Sequence, residues 1–323
     1  MGNDREVVLV TAIGTMTATT VVEELKKMGK YYIIGGDIYE KNMVATTKDV
    51  DEFHVFPPAI YELDKYIEFV LKFCKEHEVK YYFAVIDEEI VNLSNNREKF
   101  EEIGVKLCIP NKKLVETCHF KNKFSEWLEK EMPEISIKTF CSADEIKDED
   151  FPIFVKPVEG RASTGCRRID TRAQLDDFVD TAEIGKTIIA QQFAEGEIAT
   201  VDIISNNKTG QIILAPRKEL LRNSNGCGIA VKTFHSEKLE DICRRLVQKL
   251  ELNGIVNAEF FCKDGEYKII EINPRFSAGT GYSCMAGAKM VLNAMEIADG
   301  KSCTVGELTL GKHYAKRYET YEM

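Results

Sequence analysis

The chain has 323 residues, 44% of them hydrophobic and 30% charged, an ordinary globular balance with enough length for two or three domains with real cores. Its formal net charge of −10 argues against nucleic acid as the main partner, because a phosphate backbone wants a basic surface. No apolar run approaches the roughly 18 residues of a membrane span, no signal peptide precedes Val7, and the ten cysteines form no C-x-x-C pair; this predicts a cytoplasmic protein with reduced thiols, no membrane partner and no zinc finger.

In chain order, Val7-Val8-Leu9-Val10 reads as a buried strand of parallel type. A turn at Thr11 to Thr15 leads into a helix with Val21, Val22, Leu25 and Met28 on one side. Tyr31 to Asp37 is a second strand, a helix follows from about Tyr61 to His77, and Tyr82 to Val85 and Val105 to Ile109 are further strands. This alternation predicts a small doubly wound parallel sheet over residues 1–110. Only Gly14 stands where a dinucleotide fingerprint needs three glycines, which disfavours a NAD-dependent oxidoreductase. Gly14, Asp37 and Asp87-Glu88 fall at the carboxyl ends of strands, where they either face a substrate or serve as turn residues and caps.

A second unit starts near Asn111. Lys121-Asn122-Lys123-Phe124 opens a helix with Trp127 and Leu128 on its apolar side, Lys138 to Phe140 is a strand, and Ser142 to Glu145 is a capped helix start. Phe151 to Pro157 is a strand with Lys156 near its end. The small-residue loop from Val158 to Cys166 either lays backbone N–H groups against phosphate or is an ordinary hairpin loop. Thr187 to Glu197 is a strand leading into a short connection, and Thr200 to Ile204, Ile212 to Ala215 and Ala230 to Thr233 suggest an antiparallel sheet. Arg217-Lys218 follows the middle strand, either as an anion clamp with Arg217 on the ligand or as a surface cationic pair. The helix from Glu237 to Leu250 has Leu239, Ile242, Leu246, Val247 and Leu250 at core spacing.

The most informative stretch is Val256 to Arg275, two strands rich in β-formers around Asp264-Gly265. A two-residue turn there would set Glu259 opposite Ile270, whereas a three-residue turn pairs Lys263 with Tyr267, Glu259 with Glu271 and Asn257 with Asn273. The second register is favoured, because it gathers the oxygen ligands on one face and leaves Phe260, Ile270 and Ile272 for the other. Opposed carboxylates with Cβ atoms roughly 5 Å apart repel, so either a divalent cation lies between them or this is a surface hairpin whose carboxylates face water. Pro274 ends the strand, and Arg275 places a cation beside the metal, where an anion would sit.

These pieces, in this order, resemble the ATP-grasp superfamily, in the form of the module found in the carbamoyl-phosphate synthase large subunit and its stand-alone relatives. The resemblance covers about Asn111 to Asp299, and it implies an ATP-grasp domain with a small lobe over 111–190 and a large lobe over 191–323 behind a Rossmann-like domain over 1–110. The implied fold class is α/β, turning α+β in the C-terminal part, with a small doubly wound parallel sheet ahead of an antiparallel sheet.

The most specific match is Glu259 followed by Glu271-Ile272-Asn273-Pro274-Arg275. In the family such a set holds Mg²⁺ on ATP, so the resemblance makes Glu259, Glu271 and Asn273 the metal ligands, for Mg²⁺ or Mn²⁺ in its place, and Arg275 a contact of the transferred phosphoryl group. Asn122-Lys123 resembles the Asp-Lys step whose Lys123 would touch phosphate, and Lys156 ahead of Gly160 resembles the second phosphate lysine and its loop. Gln191, Gln192, Phe193 and Ala194 resemble the hinge that reads adenine, and Ser277 to Gly281 resembles the loop at the acyl substrate. Where many relatives have Gly-x-Glu, this chain has Gly196-Glu197-Ile198, so either Glu197, one position early, takes the ribose or that contact is lost.

The activity implied is an ATP-dependent carboxylate–amine ligase that works through an acyl phosphate, with Arg275 and Lys156 as its catalytic cations. Its partners would be a small carboxylate and an amine, and its assembly a homodimer. With only one module in the chain, carbamoyl phosphate synthesis itself is not expected. The alternatives are a phosphotransferase that stops at a phosphorylated product and a nucleotide-binding regulatory protein without turnover.

Overall fold

The computed structural model describes residues 5–160, 164–179 and 182–323. Residues 161–163, in the middle of the expected phosphate loop, lie outside the described residues.

Strands β1 (Glu6–Thr11), β2 (Tyr31–Asp37), β3 (Glu52–Val55), β4 (Val79–Phe83) and β5 (Lys106–Leu107) form a parallel sheet in the order β3-β2-β1-β4-β5. Because side chains alternate along a strand, Val8, Val10 and Ile33 enter one core while Leu9, Ile34 and Tyr82 enter another on the opposite face. The first core continues through Ile204, Ile255, Phe276 and Val291, so the parallel sheet shares its packing with the C-terminal half. The helix Met16–Met28 starts where the Thr15 hydroxyl accepts from Ala18 N–H and stops at Gly29, whose φ of +69° suits a residue without Cβ. The chain reverses its winding direction between β1 and β4, and the carboxyl ends there point Thr15 and Asp87 at the rest of the molecule.

Just behind that switch point Glu89 is 5% exposed and accepts from the Thr11 hydroxyl at 2.5 Å. Burial pushes its carboxyl up from 4.5 to about 7. A raised carboxyl stabilises the fold fully below the unfolded value near 4.5 and loses that contribution as pH rises through about 7. Glu89→Gln is therefore expected to be more stable than wild type at pH 8, by on the order of 3 kcal/mol, with the advantage shrinking towards pH 5. Urea midpoints at both pH values check this; a difference that does not change with pH would contradict it.

Strands β6 (Thr139–Phe140), β7 (Ile153–Pro157), β8 (Arg167–Ile169) and β9 (Ile188–Gln192) form a small antiparallel sheet in the order β6-β9-β7-β8. Strands β10 (Glu197–Asn206), β11 (Gln211–Arg222), β12 (Gly228–Thr233), β13 (Gly254–Lys263), β14 (Glu266–Asn273) and β15 (His313–Ala315) form a larger one in the order β14-β13-β10-β11-β12-β15. The helix Glu237–Leu250 covers this sheet with Leu239, Ile242, Cys243, Leu246, Val247 and Leu250 buried, as its spacing predicts. The helices Lys112–His119 and Lys121–Glu131 put Leu114, Cys118, Phe124 and Leu128 into that same core, while Lys121–Glu131 also touches the smaller sheet, where Glu129 accepts from Thr139 N–H.

One expectation changes here. Arg217 and Lys218 do not follow a strand: β11 runs through Pro216 to Arg222. The proline is tolerated because its carbonyl, and so its missing N–H, faces Phe234, just past the end of the β12 ladder. Among the described residues no helix is long and apolar enough to cross a membrane.

Candidate active site

The hairpin of β13 and β14 carries the centre of the site. Asp264 and Gly265 have φ of +53° and +78°, a two-residue turn that pairs Lys263 with Glu266. The three-residue turn expected from the sequence is absent. A β-bulge does its work instead: Phe260 pairs with Ile269 but Glu259 pairs with Glu271, leaving Ile270 as the extra residue. Glu259 thus opposes Glu271 and Asn257 opposes Asn273, as expected, by a different route. Phe260, Ile269 and Ile272 enter the core, while Ile270, expected to join them, lines the cleft.

The cleft measures about 400 Å³, within the range of small-molecule sites. The small sheet supplies Phe154, Lys156 and the run Gln191, Gln192, Phe193 and Ala194. The large sheet supplies Arg217, Glu219, Arg222, Glu259, Glu271 and Asn273, and the parallel sheet closes the end with Thr15 and Asp87. Gly160, Arg275 and Ser277 to Gly279 complete the lining.

Burial, and then the facing Glu271, pushes the Glu259 carboxyl up to about 7. Arg222 partly offsets this, with Nη2 at 3.0 Å from Glu259 Oε2 and Nε at 2.7 Å from Glu219 Oε2. Lys156 is 8% exposed, and burial lowers its pKa against the pull of Glu271. Asn273 donates to Glu271 Oε1 at 3.2 Å and accepts from Arg275 Nη2 at 3.1 Å. Arg275 Nε donates to both Asp87 oxygens, at 2.9 and 3.0 Å, tying the end of β14 to the parallel sheet. Two half-buried carboxylates facing each other with an amide oxygen beside them form a hard, all-oxygen donor set, which fits a divalent cation such as Mg²⁺.

Behind this group Arg217 is 2% exposed. Its Nη1 donates to Asp202 Oδ2 at 2.7 Å and its Nη2 to Ser277 Oγ at 3.2 Å, while Asp202 Oδ1 accepts from Asn257 at 2.7 Å. Arg217 therefore reaches the cleft wall with its charge already paired, and it braces the Ser277 loop rather than standing free as an anion clamp. A Cβ on Gly279 would lie 2.3 Å from Arg217 Nη2. Gly279→Ala is expected to break the buried Arg217–Asp202 pair and to cost about 3 kcal/mol or more of stability. Denaturant midpoints test it; an unchanged midpoint would contradict the packing.

Two expected ligands stand elsewhere. Lys123 is exposed, its Nζ 4.4 Å from the centre of the Phe120 ring, and it is Lys121 that lines the cleft, with Nζ donating to Gly160 O at 3.0 Å. Two positions along a helix turn a side chain to the far side, so the phase of Lys121–Glu131 decides between them. Glu197 is exposed and pairs with Lys218 at 2.6 Å, while its neighbour Ile198 faces the cleft. The residues missed by sequence reasoning are Lys121, Asp202, Glu219 and Arg222. Asp202 had a signal, since it sits two positions after Thr200 on an apolar strand and pairs directly with Asn257.

A parallel sheet ahead of two antiparallel sheets, with the cleft between them and a Glu…Glu-x-Asn set on its floor, defines an ATP-grasp fold. The chain belongs to the ATP-grasp domain family, which it matches over residues 118–279; residues 8–108 match the family described as PylC-like, N-terminal domain. It is 25% identical over 227 residues to the carbamoyl phosphate synthase large chain of Thermoanaerobacter sp. (strain X514), a match over 66% of this chain and 19% of that one. The chain thus spans about a fifth of the length of that relative. Solved structures of the same fold include a biotin carboxylase β-γ-ATP complex from Campylobacter jejuni, with TM-score 0.75, 15% identity and coverage of 96% of this chain and 75% of that one. An L-amino acid ligase from Bacillus licheniformis gives TM-score 0.70 at 15% identity, covering 91% and 74%.

Proposed function

We propose that the chain is an ATP-dependent carboxylate ligase that activates an acid as its acyl phosphate and passes the acyl group to an amine. The observation that carries this reading is the juxtaposition of Glu259, Glu271 and Asn273 with Arg275 at one end of the cleft and the Gln191–Ala194 run at the other. Membership of a family of ATP-dependent ligases supports it.

In this reading the Gln191–Ala194 strand holds the adenine ring. Lys156 and Lys121, with Gly160, hold the phosphates, and Glu259, Glu271 and Asn273 hold Mg²⁺. The ion supplies charge neutralisation at the phosphoryl group being transferred. Lys123 and Glu197, pointing away, take no part. A carboxylate is a poor electrophile, so its oxygen first attacks the γ-phosphorus, and ADP leaves with the bridging electron pair. The amine then attacks the acyl carbon; phosphate departs with one former carboxylate oxygen, and the amine loses a proton. Phosphoryl transfer depends mostly on positioning and charge. Asp87, Asn273 and the Phe276 carbonyl hold the Arg275 fork at the end of the cleft beside Glu271, where it would meet an anion. All ten cysteines are free, which supports work in a reducing, cytoplasmic compartment.

The test is ATP turnover against pooled amino acids and small carboxylates, reading ADP and product mass together. A condensed product with ADP is expected. ADP with a stable phosphorylated product would make the chain a phosphotransferase, and nucleotide binding without turnover a regulatory protein.

A further inference from the structure

On none of the cleft's walls, at the outer edge of the parallel sheet, Glu52, His54 and His77 converge. One ligand atom from each lies within 4.8 Å of the other two. Glu52 and His54 share a face of edge strand β3 because they are two residues apart, and His77 ends the helix Leu63–Glu76. His54 Nε2 is 2.6 Å and His77 Nδ1 3.7 Å from the same oxygen, Glu52 Oε1. The two imidazoles stand with centroids 5.0 Å apart at 73°, and both pack on Phe73, at 4.9 and 4.1 Å. The Tyr32 hydroxyl donates to the other carboxylate oxygen, Glu52 Oε2, at 3.1 Å.

We propose that Glu52, His54 and His77 form a site for a divalent transition-metal ion of the zinc class, with water in a fourth position. Two imidazole nitrogens and one carboxylate oxygen are a borderline donor set, which suits Zn²⁺ and not the oxygen-seeking Mg²⁺ of the cleft. Ligands about 2.0–2.2 Å from a tetrahedral ion lie roughly 3.4 Å from one another. The two spacings to Glu52 Oε1, 2.6 and 3.7 Å, bracket that value and all three ligand atoms lie within 4.8 Å of one another, so side-chain rotation would admit the ion. Tyr32 and Phe73 supply what such sites need around the ligands: a hydrogen bond that orients the carboxylate and a wall that fixes the rings. The ion would pin a four-residue edge strand to the C-terminal end of its covering helix, and so stabilise the exposed border of the sheet. The site does not depend on the ligase reading.

The test uses the full chain, stripped with a chelator and dialysed, with millimolar Mg²⁺ present to occupy the cleft carboxylates. Calorimetric titration with zinc chloride is expected to show one equivalent. Cobalt(II) is expected to give tetrahedral d–d bands without a thiolate charge-transfer band, because no cysteine takes part. Zinc should also raise the melting temperature. The double variant His54→Gln/His77→Gln is expected to lose more than the roughly 10–100-fold in zinc affinity that loss of an outer partner costs, together with the melting shift. If that variant does not melt like wild type in chelator, Glu52→Gln is read in its place by the same criteria. Absence of zinc binding, a thiolate band with cobalt, or undiminished affinity in the variant would each overturn the proposal.

Discussion

Replacing Glu271 with glutamine is expected to abolish turnover, by about a thousandfold or more, while making the metal-free protein more stable at pH 8. The first effect follows from the loss of one of two carboxylates that would hold the metal on the phosphates. The second follows from the geometry of the bulged hairpin. Glu259 and Glu271 face one another on neighbouring strands, and burial and this repulsion push Glu259 up to about 7. Because the folded value is raised, Glu259 stabilises the fold fully below its unfolded value of 4.5 and loses that contribution as pH rises through about 7. Removing the facing charge lets Glu259 ionise more easily, so the variant gains most at pH 8 and least at pH 5. A structural role alone predicts the opposite sign: lost activity with lost stability. Melting curves at both pH values, beside ADP release at saturating Mg²⁺, separate the two. Near-wild-type turnover would remove Glu271 from the site.

Arg275→Lys is expected to lose a large part of the rate, on the order of a hundredfold, since an ammonium cannot reproduce a fork that serves Asp87 and Asn273 and that, in the proposed reading, would also meet an anion. Asp87→Asn is expected to have a smaller effect of the same kind, because in this reading Asp87 acts by positioning Arg275. Both variants should lower kcat more than they raise KM for ATP, since the contact with the transferred group strengthens in the transition state. If Arg275 only braced Asp87, the two variants would share a stability loss and leave kcat untouched.

Gathering the oxygen ligands on one face put Glu259 opposite Glu271, though through a three-residue turn that the chain does not make, and the 3.6-residue period was enough for the helix Glu237–Leu250. The bulge at Ile270 was not legible: one extra residue breaks the period, and only the short turn at Asp264-Gly265 combined with the pairing above it reveals it. Lys121 was passed over for Lys123, since the motif specifies residue types while helix phase, set by packing of Phe124 and Leu128, specifies which lysine faces the cleft. The Asp87–Arg275 pair joins two sheets across 188 positions of sequence, and no local pattern announces such a contact. Asp87 stood out only as a polar residue at a strand's carboxyl end, where caps and ligands look alike.

The most direct measurement is the fate of oxygen-18 placed in the carboxylate of whichever acid supports turnover. If the acid is activated as an acyl phosphate, one labelled oxygen must leave with inorganic phosphate when the amine attacks, and mass spectrometry of that phosphate reads it. The predicted result is one labelled oxygen per phosphate released, with condensed product formed in equal amount. Unlabelled phosphate alongside a condensed product would contradict acyl-phosphate chemistry at this site.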